Sequence, residues 1–265
     1  MFPPAFFMLY LILAVCVSGC KDTVGPVTAK EEQTAEISWP EYLTLDFIQG
    51  RFNPEQAEGF VILDEKYADR PGLILRQETH DSLVRMCDDA LKDGIKLVVR
   101  SATRNFDYQK NIWERKWTGV TTLSDGSKAT NIKDSLDRAL KILEYSAMPG
   151  ASRHHWGTDI DFNNFNNSWF ESGRGLAVFT WLQENAGRYG FCRPYTAKGP
   201  SRPHGYNEEK WHWSFTPLSS LYTEFAKAKL KNNHFTDFMG ATTAEQLDVV
   251  KHYVLGINPD CNQTK

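Results

Sequence analysis

Two short segments constrain this chain more than any other: SRHHWGTDID, from Ser152 to Asp161, and EEKWHWSF, from Glu208 to Phe215. Together they hold three of the seven histidines, each close to carboxylates. A hydrolytic zinc site takes three protein ligands from His, Asp and Glu and keeps a fourth position for water. His154, Asp161 and His212 meet that count, so the fold has to bring two distant stretches to one point. The gap from His154 to Asp161 is too long for one helical turn and contains Gly157, which suits a loop bending into a strand. His212 would then come from an opposing strand. Glu209, three residues before His212, falls beside such a metal without ligating it, where a general base can take a proton from the attacking water. No HExxH motif occurs, which excludes the helical metalloprotease arrangement. Taken singly, a histidine beside a tryptophan is often just a hydrogen-bonded core residue; the two segments together favour ligands. His155, His204, His80, His234 and His252 lack matching partners and read as structural or surface residues.

The rest of the pattern predicts a mixed fold. Leu83, Val84, Cys87, Ala90 and Leu91 recur at helical spacing between Arg76 and Asp93, and Gly94 follows where a left-handed cap would sit. The run Ile95 to Val99 reads as a core strand that delivers Ser101 to Gln109 to a rim. Further helices are expected over Tyr108 to Trp117, around Leu136 to Leu143, and over Leu176 to Ala186. Strands are expected at Thr158 to Phe162, Tyr189 to Tyr195 and Lys210 to Phe215, and peripheral helices over Leu218 to Lys231 and Thr243 to Leu255. Helices of unequal length between strands, with no glycine-rich phosphate loop, favour an α+β domain with a small, mainly antiparallel sheet over a doubly wound one.

The N-terminus predicts export. Residues Ala5 to Val17 form an apolar stretch shorter than a spanning helix needs, and Val17-Ser18-Gly19-Cys20 resembles the bacterial lipoprotein cleavage motif, although no Lys or Arg precedes the apolar stretch. The expected organisation is a signal peptide over 1–19, a lipidated Cys20 with a polar tether over 20–36, and one domain carrying the candidate zinc site over 37–265. That places the chain on a membrane in the bacterial envelope. A net charge of -3 with scattered Lys and Arg gives no field for a phosphate backbone, so nucleic acid is not an expected partner. Cys87, Cys192 and Cys261 show no CxxC spacing; Cys192 and Cys261 could pair in an oxidising compartment, or all three could be idle thiols.

Three blocks, in order, resemble the VanY-like D-Ala-D-Ala carboxypeptidases, part of a zinc peptidase family that includes D-Ala-D-Ala dipeptidases, phage endolysins and the metal-binding domain of hedgehog signalling proteins. Ser101, Arg104 and Gln109 match an SxxRxxxxQ block. Ser152, His154, Gly157 and Asp161 match SxHxxGxxxD, and Glu209, Trp211 and His212 match ExWH. Tyr189-Gly190-Phe191 is a further landmark. The resemblance implies zinc on His154, Asp161 and His212, Glu209 as base, Arg104 as oxyanion stabiliser, and Gln109 and Ser152 on the substrate's terminal carboxylate. On position alone, Arg104 would be read as a surface salt bridge. Asp159 departs from the family, which often has Ala there; it could compete as a ligand, but the block spacing favours Asp161 and leaves Asp159 to orient a histidine.

The function implied is hydrolysis of the terminal D-Ala from peptidoglycan stem peptides. Alternatives are an endopeptidase acting on the same polymer and a zinc-containing binding protein without turnover. The presence of both Glu209 and Arg104 speaks against the last.

Overall fold

The computed structural model describes residues 38–262; the signal segment, Cys20 and the tether lie outside the described residues. The chain opens with a short helix, α1 (Leu45–Ile48), capped by the Thr44 hydroxyl, which accepts from Phe47 N. A two-stranded antiparallel ribbon follows, β1 (Phe60–Ile62) with β2 (Ile74–Arg76). Helix α2 (Gln77–Lys92) buries Leu83, Met86, Cys87 and Ala90 along one stripe and ends before Gly94, whose φ of 77° is the expected left-handed cap. Leu91, expected on that stripe, is exposed.

The main sheet has four strands: β3 (Val99–Ser101), β4 (Asp159–Phe162), β5 (Phe191–Cys192) and β6 (His212–Phe215), in the antiparallel order β3-β4-β6-β5. Between β3 and β4 run α3 (Phe106–Trp117), capped by Asn105, and α4 (Ser135–Ile142), capped by Asp134. Helix α5 (Gly173–Asn185) precedes β5, and α6 (Thr216–Lys229) and the short α7 (Thr243–Gln246) follow β6. This is the expected α+β architecture.

Side chains alternate across the sheet. Ile160, Phe162, Trp213 and Phe215 pack with the buried faces of α2 and α5 in one core, while a second core gathers α1, α3, α4, α6 and Trp156. The opposite face of β4 and β6 carries Asp159, Asp161, His212 and Ser214, with Asp161 directly paired to His212 and Asp159 to Ser214.

Several expected elements are shorter, each for a visible reason. Residues 95–98 do not join the ladder: Asn163, at φ 57°, turns the chain out of β4, and its side chain accepts from Val98 N and donates to Lys96 O in place of strand pairing. Strand β5 ends at Cys192, two residues before Pro194, which has no N–H for a ladder. The helix expected over Thr243 to Leu255 breaks at Asp248, φ 44°, where the Asn232 amide bridges Asp248 and Val250 N. Helix α6 is not peripheral: Tyr222 and Ala226 are fully buried, and its Thr223 accepts from Arg153.

Candidate metal centre and active site

The turn Arg153–Trp156 delivers His154, and Gly157 closes it at φ 72°. A side chain there would be strained by that φ, and its Cβ would lie 2.6 Å from Phe60 and 3.0 Å from Arg76 N. The next residues enter β4, so His154, Asp161 and His212 converge, with one ligand atom from each lying within 4.8 Å of the others. All three are buried.

The hydrogen bonds settle which atoms face inward. The Nδ1–H of His154 donates to Ala102 O at 2.8 Å, leaving the Nε2 lone pair toward Asp161 Oδ2, 3.2 Å away. The Nε2–H of His212 donates to Asp159 Oδ1 at 2.9 Å, leaving Nδ1 at 3.1 Å from Asp161 Oδ1. His154 Nε2 and Asp161 Oδ1 are buried without any hydrogen-bond partner among the described residues. Lone pairs facing one another in a dry site call for a cation. The separations also suit zinc, since a tetrahedron with arms of about 2.0–2.1 Å has edges of roughly 3.3 Å. The residues therefore fit the ion that their chemistry implies.

The same contacts shift the ionisable groups in different directions. Burial pushes His154 below the ordinary imidazole range, with Arg104 adding to the effect. Burial would also lower His212, but its bonds to Asp159, Asp161 and Glu209 outweigh that and raise it. Burial opposes ionisation of Asp161, yet the two histidines beside it hold it well below the usual carboxylate range.

Asp159 is tied to a residue that the sequence did not single out. Arg153, with a fully buried side chain, donates from Nε to Asp159 at 3.1 Å and from its terminal nitrogens to Thr223 and Ser214, each at 2.9 Å, while stacking over Trp156. Thr158 and Ser214 hydroxyls donate to the other Asp159 oxygen. Every lone pair of this carboxylate is thus used in aiming His212. Its adjacency to the motif histidine was the only sequence signal for Arg153.

Glu209 lies 3.4 Å from His212 Nδ1, and burial raises its pKa above the ordinary glutamate value. The turn that carries it is held by Asn167, whose amide donates to Glu208 O and accepts from Lys210 N, and by the Glu209 N–H donating to Tyr195 O. Arg104 approaches Asp161 Oδ2 at 3.5 Å and donates to Gln109 Oε1 at 3.2 Å. Gln109 also donates to Ala147 O. Gln109 thus holds Arg104 through its amide oxygen and uses one of its two N–H donors on Ala147 O. The Ser152 hydroxyl has no partner among the described residues and lines a small recess with Tyr206, whose buried hydroxyl is also unpartnered. His155 is structural, as expected: its Nδ1–H donates to Arg104 O and its Nε2 accepts from Gly150 N. The site opens into a cleft of about 760 Å³ whose lining includes Arg104, Lys116, Tyr145, Glu209 and Trp211. Cys192 and Cys261 form a disulfide, and Cys87 is free and buried.

A family profile described as VanY, D-alanyl-D-alanine carboxypeptidase, matches residues 72–218. The chain is 31% identical over 140 residues to the YodJ protein of Bacillus subtilis (strain 168), and 27% identical over 135 residues to a D-alanyl-D-alanine carboxypeptidase of Enterococcus faecalis (strain ATCC 700802 / V583). These alignments cover 52% and 50% of this chain and 45% of each relative, so the chain spans about half the length of the curated relatives it matches. Among solved structures it is similar to the LdcB LD-carboxypeptidase, at 26% identity and a TM-score of 0.46 over 60% of this chain and 68% of that one. It is also similar to VanYB in complex with D-alanine-D-alanine, at 24% identity and a TM-score of 0.45 over 59% and 80%. With more than half of its length matched by the profile, and with the three sequence blocks meeting at one site, this chain belongs to the VanY D-alanyl-D-alanine carboxypeptidase family.

Proposed function

We propose that the chain is a zinc-dependent D-alanyl-D-alanine carboxypeptidase that trims peptidoglycan stem peptides, with His154, Asp161 and His212 holding the ion. The observation that carries this reading is the placement of Glu209 and Arg104. A buried carboxylate with a raised pKa and a guanidinium flank one three-ligand site at the floor of an open cleft.

Zinc bound there would supply a Lewis acid that polarises the scissile carbonyl. Glu209, next to the ligand nitrogen of His212, takes the proton of the attacking water and passes it to the leaving amine; a raised pKa suits both halves of that transfer. Arg104, held by Gln109 and Asp161, donates to the oxygen on which negative charge develops. Ser152 offers its free hydroxyl to the substrate in the recess beside His154. Asp159 and Arg153 act through His212, fixing its tautomer and ring orientation.

Peptidoglycan lies outside the cytoplasmic membrane. A Cys20 lipid anchor would tether the chain beside its substrate in the bacterial envelope, and the Cys192–Cys261 disulfide accords with an oxidising compartment. The test is incubation of the purified, zinc-loaded protein with pentapeptide muropeptides, read by mass spectrometry against Glu209→Ala. Loss of one terminal alanine with the parent alone is expected. Internal cleavage, or no cleavage by protein shown to hold zinc, would overturn the assignment.

A further inference from the structure

Glu209 and His212 lean on a segment with almost no secondary structure of its own. Strand β5 ends at Cys192, and residues 193–195 run on without a ladder to Tyr195. Tyr195 meets the site in two ways. Its carbonyl accepts from Glu209 N at 2.9 Å, and its buried ring lies against the His212 imidazole, with centroids 4.7 Å apart. Tyr206 packs edge-on to that ring at 5.0 Å. The position of Tyr195 therefore sets where Glu209 and His212 stand relative to each other.

What holds Tyr195 comes from far along the chain. Pro194, without an N–H, offers only its carbonyl, which accepts from Asn258 N at 2.8 Å. Arg193 pairs with Glu208 at 2.8 Å, a contact that moves with the Glu209 turn rather than anchoring it. Among the described residues the covalent tie is Cys192–Cys261, which fastens the segment to the turn Pro259–Asn262. That turn is seated on α6: Cys261 is fully buried, its carbonyl accepts from Ser220, and Asn262 donates to Glu224. Cys261 lies beyond residues 72–218, the stretch matched by the family profile, so this clasp is added to that stretch. Cys192 is partly exposed and lines an open cavity of about 770 Å³ with Arg193, Asn258 and Asp260, where a thiol or disulfide reagent can reach it.

We infer that oxidation of Cys192 and Cys261 makes the chain catalytically competent, by fixing Tyr195 and through it Glu209. The Cys192 thiolate attacks a small disulfide oxidant and expels one thiolate; the Cys261 thiolate then attacks the oxidant sulfur's partner, the Cys192 sulfur, and expels the second. One S–S bond breaks as one forms, two protein thiols are oxidised, the oxidant is reduced to two thiols, and the protons of the cysteines end on them. The reverse exchange opens the clasp. This rests on the peptidase reading above and sets a condition on it. His154, Asp161 and His212 are held independently of the clasp, by Ala102 O, by the pairing of β4 with β6 and by Asp159. Zinc retention and turnover should therefore part company when it opens.

The zinc-loaded protein is equilibrated in glutathione buffers from oxidising to reducing, and the thiols of Cys192 and Cys261 are quantified by alkylation and mass spectrometry. Zinc content, kcat and KM on a pentapeptide muropeptide, and backbone hydrogen exchange are read on the same samples, with Cys192→Ser/Cys261→Ser as the permanently open form. Opening should lower kcat by about 10–100-fold, the scale of a general base displaced by about 1 Å, while KM and zinc content hold. Amide protection should fall around Tyr195 and Glu209 and persist in α2 and β4, and reoxidation should restore kcat in the parent but not in the serine variant. A fully open chain that turns over at the oxidised rate overturns the inference. So does a loss of activity that only tracks lost zinc, or exchange that rises uniformly, the mark of general destabilisation. Each of these leaves the peptidase reading in place, whereas an oxidised parent that holds zinc and cleaves nothing overturns both.

Discussion

The Arg153–Asp159 pair offers the most exacting test of how the site is held. Both side chains are fully buried, and Arg153 spends three bonds on Asp159, Ser214 and Thr223. Arg153→Met keeps much of the apolar stem but strands a carboxylate in the core. Breaking a buried pair from one side costs about 3–5 kcal/mol. Asp159 still accepts from His212, Thr158 and Ser214, so the lower end, about 3 kcal/mol, is expected. Asp159→Asn should also destabilise, because Arg153 is then left without a counter-ion. The double variant should be less damaged than the two losses added together, by a coupling of about 1–3 kcal/mol. Urea unfolding of the four proteins at neutral pH, zinc removed by chelation, reads the cycle. A loss below about 0.5 kcal/mol for Arg153→Met, the size of an ordinary surface substitution, or strict additivity in the cycle, would refute the claim that Arg153 neutralises Asp159.

Asp161→Asn should abolish stoichiometric zinc binding, whereas Asp159→Asn should retain the ion with affinity lowered about 10–100-fold; metal analysis and chelator competition distinguish them, and zinc retained by Asp161→Asn would make Asp159 the ligand. Burial holds His155 down to about 3, against about 6.5 for a free imidazole, with the charge of Arg104 adding to the effect. The unfolded chain then binds the extra proton first, so this contribution is complete above about pH 6.5 and is lost as pH falls toward 3, the loss reaching about 2 kcal/mol at pH 5. Comparing the unfolding of the parent and His155→Gln at pH 7.5 and 5 tests this, and equal losses would refute it. Replacing Cys192 and Cys261 by serine opens a loop with a sequence separation of 69 and should lower stability by about 4 kcal/mol on the chain-entropy account. The denaturant midpoint measures that loss, and an unchanged midpoint would contradict it.

The convergence of His154, Asp161 and His212 was legible in the sequence because their spacing obeys local geometry. Asp161 follows His154 across a glycine turn into a strand, and the two-residue alternation of that strand places Asp159 on the same face. The supporting groups were not, because they act across the fold. Arg153 finds Asp159, Ser214 and Thr223 from three different elements, and Lys116 meets Ser146 only through the packing of α3 near the loop after α4. Gln109 lies in a matching motif, yet its engagement by Ala147 O depends on that loop. The α2 stripe follows its helical spacing except at Leu91, while the strands are shorter than their apolar runs wherever one residue, Asn163 or Pro194, ends the ladder. Asp248 shows the complementary error, since nothing in the helical pattern of Thr243 to Leu255 announces a positive φ.

The borders of the main sheet have a bearing on how a peptide enters. Along β3, Val99 O accepts from Asp69 N and Ala68 bridges alongside. Along the other side, β5 is two residues long, and beyond it Pro194 O accepts from Asn258 N in the segment that Cys261 fastens to Cys192. The main sheet therefore offers little open backbone edge on which a further strand could be added. Strand addition reads alternate side chains of an L-peptide from a fixed backbone ladder. A site that gripped a peptide by its end rather than along a strand would impose no such ladder, so under the proposed function residues of inverted chirality meet no register to violate.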